Sequence, residues 1–186
     1  TVTLGLLNDL LPDSANSVAP EGRLVTTGFV SVGAVGTWSS RDVVVAPTII
    51  WLLKGSQDRD PALPFDLEHL VGTKGKASAE VVLVAGPDRS SRRRRAMEKL
   101  GAERAVAVDA RRDGIDWQAV VREATLFAAA VLVEVKDALP AVVKRWVEMS
   151  THLSWGILSE SQIPISQLPD RAWIDDQIAD RVADPV

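Results

Sequence analysis

A chain of 186 residues with a net charge of −4, 46% hydrophobic and 25% charged, has room for one large or two small cores. It contains no cysteine, which excludes a disulfide framework, a zinc–thiolate site and a thiol nucleophile and fits a cytoplasmic location. No apolar run reaches the roughly 18–20 residues that span a bilayer, so no membrane contact is expected. Residues 1–75 are net acidic and residues 76–186 nearly neutral, so neither half is a basic platform and no specific nucleic-acid partner is expected. The start at Thr1 suggests a piece of a longer protein.

In chain order, residues 1–11 space Leu4, Leu7 and Leu11 as a short amphipathic helix stopped by Pro12. Residues 20–25 can begin a second short helix. Residues 29–34 and 42–46 alternate as two strands, and the polar stretch 35–41 between them predicts a hairpin with a loose tip. Pro47 sits at a helix first-turn position, and Ile49, Ile50, Leu52 and Leu53 follow on a helix that ends at Gly55. That order suits a winged helix. A DNA-reading helix needs Arg, Lys, Asn or Gln for bases and phosphates, yet only Arg23 and Arg41 are placed to serve, so a packing or protein-contact module is the better reading. Trp38 on the hairpin tip is either a contact residue or a wing residue folded back on the domain.

A polar stretch, 57–79, follows, with one or two helical turns over 65–70 and a flexible tether over 72–78. The chain is thus expected to divide into a winged-helix-like domain (1–72), a linker (73–79) and an α/β domain (80–186).

From residue 80 strands and helices alternate. Strands are expected at 81–85, 105–108, 130–135 and 156–159, with a short fifth at 163–165. Helices are expected at 92–100, 117–127 and 141–149, and a last one over 170–182 with Trp173, Ile174 and Ile178 inward. A helix between successive strands predicts a parallel, three-layer domain. Trp51, Trp117, Trp146 and Trp173 fall at apolar helical phases and read as core anchors.

The stretch 80–100, EVVLVAGPDRSSRRRRAMEKL, organises this half. A β-branched run, a Gly-Pro-Asp turn and a helix capped by Ser90 or Ser91 reproduce the junction that cradles phosphate in P-loop proteins. Counted from Gly86, however, Ser91, Arg92 and Arg93 replace the glycine, the lysine and the hydroxyl residue of G-x-x-x-x-G-K-[ST]. The strand over 130–135 ends in Glu134, where a magnesium-holding acid belongs, and Val135 stands where a base would orient water. Gly86, Asp88, Ser91, Arg92 and Glu134 are therefore the candidate phosphate-site residues, as remnants, with Ser159 beside them. No catalytic residue and no metal ligand is identified. His69 and His152 lack ligand spacing and read as surface or packing residues, and Asp175 and Asp176 as solvent-facing.

Four consecutive arginines, Arg92 to Arg95, open the helix. Successive residues turn about 100° each, so the four cannot face one ligand. A solvated collar paired with Glu98, Asp88 and nearby acids is the simpler reading, and an anionic partner is the other.

Three stretches carry a family resemblance: residues 24–54 (LVTTGFVSVGAVGTWSSRDVVVAPTIIWLLK), 81–95 (VVLVAGPDRSSRRRR) and 128–137 (AAAVLVEVKD). They resemble the N-terminal region of large bacterial AAA-type ATPases that carry a winged-helix domain and are associated with phage-tail-like contractile injection systems. The resemblance implies a winged helix followed by a degenerate ATPase-like domain, with the active module downstream. It implies a non-catalytic interaction and assembly role for this chain, whose partner is a protein or the downstream ATPase domain. ATP and magnesium then belong to the full-length protein, expected to be a homo-oligomer, and not to this part. The alternative is a self-sufficient nucleotide-binding enzyme with an atypical phosphate loop.

Overall fold

A computed structural model describes residues 2–10, 16–56, 58–171 and 173–177. The chain forms two compact units, Thr1–Leu63 and Pro64–Val186.

Among its described residues, the first unit holds a three-stranded antiparallel sheet and three short α-helices. Its elements run β1 (Val2–Thr3), α1 (Leu4–Leu10), α2 (Arg23–Thr26), β2 (Val30–Val32), β3 (Asp42–Val45) and α3 (Pro47–Leu53). The expected hairpin is present, with Val30 opposite Val45 and Val32 opposite Val43. Its tip is built rather than loose. Residues Trp38–Ser40 form a 3₁₀ turn, Ser40 N–H donates to Thr37 O at 3.0 Å, and Arg41 stacks 5.7 Å from the Trp38 ring. Pro47 opens α3 because its missing N–H is one that a helix start leaves unbonded anyway. Gly55, at φ 84°, closes it. The first residues depart from expectation. Val2 and Thr3 pair with Val43 and Asp42, so a strand precedes the helix. Thr1, Leu11 and Pro12 lie outside the described residues.

The second unit is a six-stranded sheet with helices against it. Its elements are β4 (Glu68–Val71), β5 (Val81–Ala85), α4 (Arg89–Leu100), β6 (Arg104–Asp109), α5 (Trp117–Leu126), β7 (Ala130–Glu134), α6 (Ala141–Met149), β8 (Trp155–Ser159) and β9 (Trp173–Gln177). The strand order is β4-β6-β7-β8-β5-β9. All neighbours are parallel except β4, which runs antiparallel to β6. Every residue of β5, β7 and β8 is buried, as short, mainly apolar runs covered on both faces should be, and Glu134 at the end of β7 is buried with them.

Alternate residues face opposite layers. Val82, Val84, Ala105, Ala107, Ala130, Leu132 and Leu158 pack with Ala96, Met97 and Leu100 of α4. The intervening Val81, Leu83, Val106, Val108, Val131, Val133, Trp155 and Ile157 point the other way and are also buried. α5 lies against β6 and β7 through buried residues that include Trp117, Val120 and Val121. Travel across the sheet reverses after β6, which is what right-handed connections need to cover both faces. Gly156 lies where α4 comes close. A Cβ there would meet Leu132 Cδ2 at 2.6 Å and Ala96 Cβ at 3.2 Å.

Four expectations change. Residues 68–71 are an edge strand rather than helical turns, because the backbone pairs residue by residue with 104–107. The first domain, read as ending at residue 72, thus gives this strand to the second sheet. The tether runs bonded along the end of α4: Gly72 N–H donates to Glu103 O and Ser78 N–H to Lys99 O, each at 2.8 Å. Around Ile163 there is no strand but a 3₁₀ turn at Ile165–Gln167. The fifth parallel strand is Trp173–Gln177, where a helix was expected, since pairing with β5 outweighs the helical spacing of its apolar residues. Ile178 to Val182 lie outside the described residues.

Candidate functional site

A parallel sheet brings the C-terminal ends of its strands to one edge. Register aligns Ala85 with Ser159, Glu134 with Leu158 and Asp109 with Glu134 there. Gly86 leaves β5 and its N–H donates to Ser159 O at 3.1 Å, so the turn is tied to the neighbouring strand. The Ser159 side chain is buried and donates to Ser161 O at 2.5 Å.

Asp88 caps α4, in place of the serines expected to do so. Its carboxylate accepts the Ser91 N–H at 2.6 Å. Bonds from the Ser91 side chain and backbone hold the Asp88 carboxyl below its ordinary value. Asp88 and Ser91 therefore satisfy each other.

Arg92 is one turn into the helix and only 4% exposed. Its Nη1 donates to the carbonyl oxygens of Gly86 and, at 3.1 Å, of Pro87. Its Nη2 donates to Glu134 Oε2 at 3.2 Å, and Glu134 is itself 3% exposed. A buried cation costs several kcal/mol unless paired and hydrogen-bonded, and these three acceptors meet that requirement. Nε alone is buried without a partner.

The other Glu134 oxygen accepts from Arg89 Nε at 3.1 Å and Arg93 Nε at 2.8 Å. Both arginines also reach Glu68 on β4, Arg93 with two bonds of 2.9 Å and Arg89 with one of 3.3 Å. The Arg93 bond is the chief reason that the Glu68 carboxyl is held below its ordinary value. Burial opposes the charge on Arg93, but its bonds to Glu68 and Glu134 outweigh that and push its pKa up.

This arrangement differs from that of a phosphate loop. A phosphate loop turns backbone N–H groups inward. Here the Gly86 and Pro87 carbonyls turn toward a guanidinium that belongs to the chain. Both Glu134 oxygens are taken by arginine, and among the described residues no group of three or more His, Cys, Asp or Glu could hold a metal. Gly86, Arg92 and Glu134 thus come together as expected, while Asp88 and Ser91 form a helix cap beside them.

The arginine run fans out as its spacing requires, but it is not simply a solvated collar. Arg92 points inward and Arg93 toward two acids. Arg94 is 74% exposed, 4.0 Å from Glu98, and Arg95 binds Asp176 at 2.7 Å. Asp176, read as solvent-facing, also lies 3.5 Å from Lys99. Arg89 and Glu68 were missed. Arg89, Arg92 and Arg93 share one helix stripe at i, i+3 and i+4, which is a legible signal, whereas the partner on β4 depends on long-range pairing.

His69 and His152 hold structural contacts. His69 Nε2 is 3.0 Å from Glu123 Oε1 and packs edge-on to Phe127, and His152 Nε2 is 2.9 Å from Thr125 Oγ1. Of the tryptophans read as core anchors, Trp117 is buried, while Trp51, Trp146 and Trp173 are only partly covered; the deepest is Trp155. No protein-family model matches the chain, and no curated protein or solved structure matches it.

Proposed function

We propose that this chain is a non-catalytic interaction and assembly region of a larger AAA-type ATPase, with a winged-helix-like unit ahead of a P-loop-like unit whose nucleotide site has been given over to an internal arginine. Arg92 carries the reading. Its guanidinium lies on the loop carbonyls and on Glu134, so the place of a phosphate and the acid that would serve magnesium are both engaged. The sheet supports it too: the loop-bearing β5 and the acid-bearing β7 run parallel in one sheet, with their C-terminal ends at one edge.

In the first unit, a three-stranded antiparallel sheet with three helices supports the winged-helix-like assignment. Arg41 is engaged with Trp38, which leaves little cationic surface for a duplex and favours a protein partner. The partner of this reading is the downstream ATPase domain or another protein, within a homo-oligomer in the cytoplasm. The link to contractile injection systems rests on the sequence resemblance.

Calorimetry with ATP and Mg²⁺, beside a phosphate-release assay, tests the proposal. The expected result is no turnover and no tight Mg·ATP binding. Micromolar affinity, or turnover abolished by Glu134→Gln, would favour the enzyme. Weak, magnesium-independent binding that Arg92→Ala removes would mark a leftover anion pocket.

A further inference from the structure

Strand β4 is the edge of the six-stranded sheet, with β6 as its sole neighbour in the strand order. Protein edges are usually blunted by shortness, charged side chains, proline, a bulge or a covering helix or loop, and β4, at four residues, uses shortness alone among the backbone devices. Residues 68–71 contain no proline and pair with 107–104 one for one, without a bulge. The single acidic residue, Glu68, is neutralised by Arg89 and Arg93, and Val71 is 85% exposed.

Beside this edge, under the flank of α4, runs a groove of about 600 Å³. Leu70, Val71 and Met97 give it apolar walls, and Ser90, Arg93, Arg94 and Glu98 border it. Arg94 is largely exposed and its nearest acid, Glu98, is 4.0 Å away. Thr73 also lines the groove, and Lys74 and Lys76 follow it in the chain. Both lysines are exposed and form no ion pair among the described residues. Among the described residues, a sheet edge with one neighbour, an apolar trough bordered by Arg94, and two unpaired lysines that follow the strand in the chain thus occur together.

We infer that β4 is a docking edge for an extended, acidic segment of a partner protein, which adds a strand to the sheet. The partner's backbone completes the β4 ladder, alternate apolar side chains enter the trough against Leu70 and Met97, and its carboxylates meet Arg94, Lys74 and Lys76. Main-chain bonds supply affinity in this mode and side-chain pockets supply choice. The inference deepens the reading of the chain as a contact module, and the nucleotide experiments test that reading at a different place in the fold.

The test is selection of a random-peptide phage library on the immobilised full chain, followed by hydrogen exchange with a synthetic copy of an enriched peptide. Enriched sequences are expected to alternate apolar residues with Asp or Glu and to protect the amides of residues 68–71. Arg94→Glu, on an exposed side chain, should weaken binding roughly tenfold, and Val71→Lys should abolish it. Absence of enrichment, enrichment without acids, indifference to both variants, or protection elsewhere would overturn the proposal. So would protection of 68–71 that rises with protein concentration in the absence of peptide, because the edge would then be covered by a second copy. Loss of the docking edge with no ATP turnover would leave the contact-module reading standing. Turnover of ATP would remove that reading whatever the peptides do.

Discussion

The two units use apolar residues in opposite ways. In Pro64–Val186, three strands are buried from end to end and one helix, α4, seals a face of the sheet. In Thr1–Leu63, no described element exceeds seven residues, and Leu6, Leu10, Val44, Leu52 and Leu53 are exposed. Short elements cannot present enough of one face to close a layer, so apolar side chains stay at the surface. The second unit should therefore respond strongly to single changes inside it, and the first weakly. Exposed apolar residues fit a contact role, whereas buried ion pairs fit a fixed scaffold.

The sharpest contrast comes from Arg92→Ala. Deleting the cation leaves Glu134 without its buried partner and strips the Gly86 and Pro87 carbonyls of their donor. Breaking a buried pair from one side costs about 3–5 kcal/mol. Denaturant melts should show that loss, and hydrogen exchange should place it in β5, β7 and α4 while residues 2–10 and 16–56 are unchanged. A loss below about 1 kcal/mol would mean that Arg89 and Arg93 hold Glu134 unaided.

Gly156→Ala comes next. Leu132 Cδ2 is the end of a flexible side chain and can swing away, but Ala96 belongs to the helix and cannot. Overpacking of this kind costs about 1–3 kcal/mol, measurable as a lower midpoint at an unchanged slope. A neutral result would show that α4 shifts freely on the sheet.

How far these features could be read from the sequence follows the same division. The strand at 81–85 was legible because an uncharged β-branched run before a Gly-Pro-Asp turn admits few other readings, and those expected at 130–135 and 156–159, found at 130–134 and 155–159, because short apolar runs alternate there with helical stretches. Glu68–Val71 and Trp173–Gln177 were not, because their local pattern is helical or neutral and only distant partners, β6 and β5, make them strands. In the candidate site, Gly86, Arg92 and Glu134 could be found from motif register. Their chemistry could not, since the register leaves open whether loop carbonyls or N–H groups face the arginine. Arg89 and Glu68 show the limit again: the helix stripe was visible, but the acid on β4 was not.

A smaller effect has the opposite sign. Ala128, between α5 and β7, has a φ of 49°, in the left-handed region that costs a side-chain-bearing residue about 1–2 kcal/mol. Glycine adopts it freely but loses about 0.5–1 kcal/mol in chain entropy. Ala128→Gly should then raise stability by up to about 1 kcal/mol, seen as a higher melting temperature. A drop would mean that the Ala128 methyl makes contacts worth more than its strain.

Acid should weaken the second unit through its arginine-bound carboxyls. The bond from Arg111 holds the Asp109 carboxyl below its ordinary value, as Arg93 does for Glu68. A depressed folded-state pKa stabilises fully above the ordinary carboxyl range, near 4, and is lost as pH falls through it. Both arginine pairs reach solvent, so each is worth only about 0.2–1 kcal/mol. Stability measured from pH 6 down to about 3 should fall, and Asp109→Asn should flatten part of that slope. A slope unchanged in Asp109→Asn would separate this pair from acid sensitivity.

The first unit gives the smallest effect, and it tests the comparison from the other side. Leu53 ends α3 and is 83% exposed. Full burial of a leucine is worth about 1.5–3 kcal/mol, so the small covered fraction accounts for only about 0.5 kcal/mol. Serine is a slightly poorer helix former, but the last position of a seven-residue helix carries little of that penalty. Leu53→Ser should therefore change stability by no more than about 0.5 kcal/mol in a thermal or urea melt. If Leu53 serves contact rather than core, the same variant should lose binding to whatever the first unit docks against, with its fold intact. A loss above about 2 kcal/mol would instead show that Leu53 is enclosed in the folded protein, and the contrast between an open first unit and a sealed second one would fail there.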